Sequence, residues 1–146
     1  MKIGIASDHR GYNLKKYLID NLSEYNMIDY GTTSNESVDY PLYAFKLGKK
    51  VALKEVEFGI AICGSGIGIS IACNKVKGIR CAKINTINEA IMTRKDNDAN
   101  IIALSGDTNK EEALNLVNKF INTKFLNEER HLRRINEIKE YEDNDC

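Results

Sequence analysis

The chain of 146 residues has no tryptophan, a single proline, two histidines and no net charge. Each shortage removes a class of explanation. Twenty-one basic residues balance twenty-one acidic ones, so no overall field draws the chain to nucleic acid or to a membrane surface. Any anionic ligand must be held by a local cluster. Long hydrophobic runs are missing as well: the charge-free stretch "FGIAICGSGIGISIAC" covers residues 58–73 and carries four glycines, short of the roughly 20 apolar residues of a membrane span. Five uncharged residues between Lys2 and Asp8 are too few for the core of a signal peptide. The expectation is a cytoplasmic protein with no membrane or nucleic-acid partner. The four cysteines, Cys63, Cys73, Cys81 and Cys146, form no C-x-x-C pair, and His9 and His131 are the only imidazoles. That pattern argues against a zinc site or a thioredoxin-like motif, and in a reducing compartment the thiols are expected to be free.

What the chain does have is alternation. "KIGIAS" (2–7), "MIDYG" (27–31), "EFGIAIC" (57–63), "IRCAKI" (79–84) and "ANIIALSG" (99–106) read as strands. The stretches between them carry helical spacing, as in Leu14, Tyr17, Leu18 and Leu22, or Ala113, Leu116, Val117, Phe120 and Ile121. Thr108 or Asn109, with Glu111 or Glu112 following, predicts a capping box before the second of these. A last amphipathic helix is expected over about 127–141. Five strands separated by helices predict a single-domain, three-layer α/β Rossmann-like sandwich around a five-stranded parallel sheet. In such a sheet ligands bind beyond the carboxyl ends of the strands, which directs attention to Ser7, Asp8, His9, Cys63, Gly64 and Ser65.

The turn "GSGIG" (64–68) has neither the G-x-G-x-x-G spacing of a dinucleotide fingerprint nor the lysine of a P-loop. Glu89 lies about as far on as a ribose-binding acid would, but inside a helical pattern. The glycines offer unshielded backbone N–H groups that can hold a phosphate or a developing oxyanion; the plainer reading is a tight connection needing positive φ. Cys63 stands where a helix N-terminus favours the thiolate. With His9 as base it would suit a nucleophile; alone it would suit a general base removing a proton from carbon. On the last helix, Arg130 and Arg134 stand at i, i+4 and can bracket one phosphate. A solvated face with pairs such as Glu129–Arg133 is the alternative. Asp96 and Asn97 in "RKDNDAN" could cap, turn or bind.

These residues carry a resemblance. The segments "SDHRGYNLK", "VDYPLYA", "CGSGIGISIACNKVKGIRCA", "NDAN" and "RHLRRI" make the chain, over essentially its full length, similar to type B ribose-5-phosphate isomerases, a family that shares its pattern with the galactose-6-phosphate isomerases. The resemblance implies interconversion of ribose 5-phosphate and ribulose 5-phosphate through an enediolate, without metal or organic cofactor. It makes Cys63 the base that shuttles the proton, Ser65 the support of its thiolate, and the amides of Gly64, Gly66, Ile67 and Gly68 the oxyanion nest. Asp8 then contacts sugar hydroxyls, His9 the phosphate side, Asn97 the sugar, and Arg130 and Arg134 the phosphate. It also implies a homodimer with shared sites, the last helix packing on the partner, and pairing of dimers into tetramers. Two residues depart from the pattern. Asp96 stands where a ring-opening histidine is common, and an ordinary aspartate ionises near pH 3.9, too low for a good acid at neutral pH. Asp107 stands where an arginine often follows the fifth strand. Both leave room for a six-carbon sugar phosphate or a non-catalytic sugar-phosphate binder.

Overall fold

A computed structural model describes residues 1–145; Cys146 lies outside the described residues. Its elements are β1 (Lys2–Ser7), α1 (Tyr12–Asn21), β2 (Asn26–Asp29), α2 (Tyr40–Ala52), β3 (Phe58–Cys63), α3 (Ile67–Cys73), β4 (Cys81–Lys83), α4 (Ile87–Lys95), β5 (Ile101–Ser105), α5 (Lys110–Asn122) and α6 (Glu129–Asp145). The five strands form one sheet in the order β2-β1-β3-β5-β4, with every pairing parallel. The predicted architecture is the one observed. β4 is shorter than its apolar run because it lies at the sheet edge, where three rungs tie it to β5.

The sheet is asymmetric, and its period-2 alternation explains why. Ile3, Ile5, Ile60, Ile62, Ile102 and Leu104 pack with Leu14, Leu18, Leu116 and Phe120 of α1 and α5. The other face carries Ala6, Ala61, Cys63 and Ala103, packed with Ala44, Leu47, Ile69 and Cys73 of α2 and α3. Small residues there let the helices sit close to the backbone: a Cβ on Gly4 would stand 2.8 Å from Leu47 Cδ1. Cys63 is thus the last residue of the central strand, on the tightly packed face.

Two local readings are corrected. Asn109 does cap α5, accepting from the amides of Glu111 and Glu112 at 3.0 and 3.1 Å. The capping box, however, opens α4, where Thr86 Oγ1 accepts from the Glu89 amide and Glu89 Oε2 from the Thr86 amide, both at 3.1 Å. That gives Glu89 a structural task at a helix start. The last helix also runs past 141, to Asp145. One feature escaped the pattern: Lys15 is fully buried, with Nζ held between both Asp29 carboxylate oxygens at 2.6 Å.

Candidate active site

At the carboxyl edge of the sheet, β3 delivers Cys63 into the glycine turn. Gly66 has φ +77°, and a Cβ there would stand 2.8 Å from the Leu104 carbonyl carbon, so conformation and space both demand glycine. The loop after β5 fastens the turn from the side: Gly106 N–H donates to the Cys63 carbonyl at 2.8 Å, and Ser105 Oγ to the Gly64 carbonyl at 2.7 Å. Ser65 is exposed, and its hydroxyl accepts from the Ile67 amide at 3.1 Å. Cys63 itself is only 4% exposed in the single chain, the floor of the turn rather than its rim.

The loop after β1 stands beside it. Asp8 is buried, and its Oδ1 accepts from the amides of Arg10 at 2.9 Å and Gly11 at 3.1 Å. One carboxylate oxygen is therefore occupied in shaping the loop. His9 Nδ1 accepts from the Val38 amide at 3.2 Å, which leaves the proton of the neutral ring on Nε2 as an outward donor. Arg10, which sequence reasoning passed over, lies across the turn: its Nε is 3.0 Å from where a Cβ on Gly64 would be. A Cβ at 64 would press on that guanidinium and oblige it to shift by a few tenths of an ångström. Asp107 is exposed one residue beyond Gly106.

The other candidates gather at the opposite edge. Asp96 ends α4, and Asn97 follows it, exposed. Their position is fixed by Asp98, which takes Arg94 at 2.6 Å and Arg80 at 3.2 Å. Arg94 is itself buried over the Phe58 ring at 4.8 Å and donates to the Ala99 carbonyl at 2.8 Å. Arg80 Nε also holds the Asn97 carbonyl at 3.0 Å. A cavity of about 530 Å³ opens here, with Asp96, Asn97, Arg134 and His131 in its wall. Arg130 turns aside to Glu128 at 3.2 Å, and Arg133 pairs with Glu129 at 3.1 Å, the solvated pair anticipated for that helix. His131 is the second residue the sequence reading missed; a lone histidine on an amphipathic helix gives no signal until its burial is known.

Cys81 borders the same cavity, yet it is no rival to Cys63. A hydrogen bond with Cys73, together with burial, pushes its thiol well above the ordinary range, which suppresses the reactive thiolate. Cys63, Cys73 and Cys81 are all free. Among the described residues no group of three or more His, Cys, Asp or Glu side chains is arranged to hold a metal ion, and no helix is long and apolar enough to cross a membrane.

Within one chain the two groups do not meet. Cys63 pairs with Ser105 at one end of the central strands, whereas Gly59 pairs with Ile101 at the other, the end that Asn97 precedes. The four residue steps between those pairs, at about 3.3 Å each, hold the two edges roughly 13 Å apart. Beside the polar Arg10, Ser65 and Asp107, exposed apolar side chains flank the glycine turn: Leu42 of α2 and Ile67 and Ile71 of α3 are each more than half exposed.

Against known proteins, residues 3–138 match the family described as Ribose/Galactose Isomerase. A ribose-5-P isomerase B of Listeria innocua is 44% identical over 106 residues, 71% of this chain and 72% of that one. The structure of Clostridium thermocellum ribose-5-phosphate isomerase B superposes with a TM-score of 0.96 at 46% identity, covering all of both chains. That of the Mycoplasma genitalium enzyme with bound ribulose-5-phosphate gives 0.92 at 36% identity, covering 98% of this chain and 97% of that one.

Proposed function

The chain belongs to the ribose/galactose isomerase family and is an aldose–ketose isomerase, and from that premise we propose that it interconverts D-ribose 5-phosphate and D-ribulose 5-phosphate in a cytoplasmic pentose phosphate pathway. The observation that carries the reading is Cys63 at the end of the central strand, facing a glycine turn whose geometry tolerates no other residue at 66.

In the proposed mechanism the Cys63 thiolate takes the C2 proton of the open-chain aldose and returns it to C1, while the hydroxyl proton crosses from O2 to O1. The intermediate is an enediolate. Its negative oxygen needs fixed donors that require no reorganisation. The Ile67 amide is engaged by Ser65, so the amides of Gly64, Ser65, Gly66 and Gly68 are the ones assigned to the oxyanion. Ser65, through its own O–H, supports the sulfur. His9 Nε2–H and the Arg10 guanidinium supply positive character on the phosphate side, where Asp107 takes the place of a cation.

Asp96, Asn97, Arg130 and Arg134 complete the site from a second copy of the chain. The sheet separates them from their own Cys63, and the exposed Leu42, Ile67 and Ile71 beside the turn, with Ile138 and Tyr141 on α6, supply apolar surface for such a partner. Each dimer then has two sites, each with one chain's sulfur and the other's arginines; pairing of dimers into tetramers is compatible with this. No cofactor enters the scheme.

The test is turnover on a panel. Ribose 5-phosphate is expected to be isomerised at least tenfold more efficiently than allose 6-phosphate or galactose 6-phosphate, and Cys63→Ala to lose turnover while still binding the substrate. Preference for a six-carbon sugar would move the assignment within the family. An active Cys63→Ala protein would end the proposed chemistry.

A further inference from the structure

We propose that His131 is the proton partner of Asp96, and that the two together, not the carboxylate alone, open the furanose ring. The inference rests on the isomerase reading above and deepens it.

His131 is 6% exposed, and its Nε2 is fully buried with no hydrogen-bond partner among the described residues. Buried polar atoms are nearly always satisfied, and an orphan at a candidate site calls for a reason. Nε2 lies 3.4 Å from Asp96 Oδ1 and 3.8 Å from Glu128 Oε2, close to both carboxylates but hydrogen-bonded to neither. Asp96 is half-buried and forms part of the cavity wall with Asn97 and Arg134. The groups facing the ring are therefore Asp96 from α4 and Glu128 ahead of α6, with Arg134 of α6 and Arg80 ahead of β4 in the same wall.

This arrangement answers a chemical difficulty. A lone aspartate, ionising near pH 3.9, carries almost no proton at neutral pH, whereas an imidazole ionises near pH 6.5. Set beside the carboxylate in the cavity wall, the imidazole is a source of the proton that a lone aspartate lacks. The proton passes through Asp96 to the ring oxygen O4 as the C1–O4 bond breaks. The pair recovers a proton from the C1 hydroxyl as the C1=O bond forms. Nothing is oxidised or reduced, and the pair ends as it began. Asp96 touches the substrate; His131 acts through it as a positioning residue.

The discriminating experiment separates ring opening from proton transfer at carbon. Ribulose 5-phosphate is open-chain, since its C5 oxygen carries the phosphate, so exchange of its C1 hydrogen with D2O needs Cys63 but no ring opening. For His131→Asn, and for His131→Gln as a second variant in case the first folds poorly, kcat/KM on ribose 5-phosphate is expected to fall about 10- to 100-fold. Deuterium exchange into ribulose 5-phosphate should stay within about twofold of wild type. In an Asp96→His background the same His131 substitutions should cost less than about threefold, because an imidazole at 96 carries its own proton. Parallel loss of both reactions, an unchanged rate on ribose 5-phosphate, or the same large loss in the Asp96→His background would each overturn the pairing. Failure of the wild-type enzyme to turn over ribose 5-phosphate would instead overturn the isomerase reading, and the pairing with it.

Discussion

The two edges of the sheet are built on different principles. At the carboxyl edge the candidate groups are held by backbone: Gly106 and Ser105 grip the turn through its carbonyls, and Asp8 ties its own loop through two amides. At the amino edge they are held by charge: Asp98 between Arg80 and Arg94, and Asp96 opposite His131. Backbone clamps suit a place where an oxyanion must meet preorganised donors. Side-chain charges suit a place where protons are exchanged and a phosphate is gripped. The sheet keeps the two sets of groups apart within a chain.

The largest expected effect is at the carboxyl edge. Cys63→Ala should lower kcat by about 10²- to 10⁴-fold on ribose 5-phosphate while leaving substrate binding, read by calorimetry, within a few-fold. A kcat loss below tenfold would remove the sulfur from the chemistry. Next, Arg134→Ala at the amino edge should raise KM by about 10- to 100-fold, the cost of about 1.5–3 kcal/mol for a hydrogen bond to a charged group, with a smaller change in kcat; an unchanged KM would detach α6 from phosphate binding. Ile71→Glu, which puts a charge on the exposed apolar face of α3, should leave the circular dichroism spectrum intact. Sedimentation should shift towards the monomer, and specific activity should become concentration-dependent. Activity that persists in a demonstrated monomer would refute the shared site. The smallest effect concerns Cys81. Because its thiol is pushed upward by Cys73 and by burial, it should alkylate at pH 8 at least tenfold more slowly than an unhindered thiol, and faster only as pH rises further. Mass mapping after a timed iodoacetamide pulse checks this.

The carboxyl edge was legible in the sequence because strand-end chemistry follows from local order. Cys63, its glycines, Asp8 and His9 all sit at the close of apolar runs, where a parallel sheet presents its ligands. The amino edge was not legible from periodicity. Asp96 and Asn97 lie in a polar stretch that serves equally as cap or turn, and Arg134 is one of four cations or imidazoles within five positions of α6. Spacing left Arg130 and Arg134 as one reading of two and the resemblance decided between them, while the fold shows that all these residues lie at the edge opposite their own Cys63. Arg10 and His131 were invisible for a further reason: each owes its interest to one long-range contact, with Gly64 in one case and Asp96 in the other. Lys15 illustrates the same limit, a charged residue buried by a partner fourteen positions away.

The shared site is tested most directly by mixing. Cys63→Ala and Arg134→Ala proteins are unfolded together in equal amounts, refolded, and assayed at substrate far below the wild-type KM, where each alone is expected to be only weakly active. If every site joins one chain's sulfur to another's arginine, random pairing places half the molecules in mixed dimers with one intact site each, and activity should return to about a quarter of wild type. A mixture no more active than the average of its two parents, with mixed dimers confirmed by native mass spectrometry, would show that each chain works with its own groups and would contradict the account.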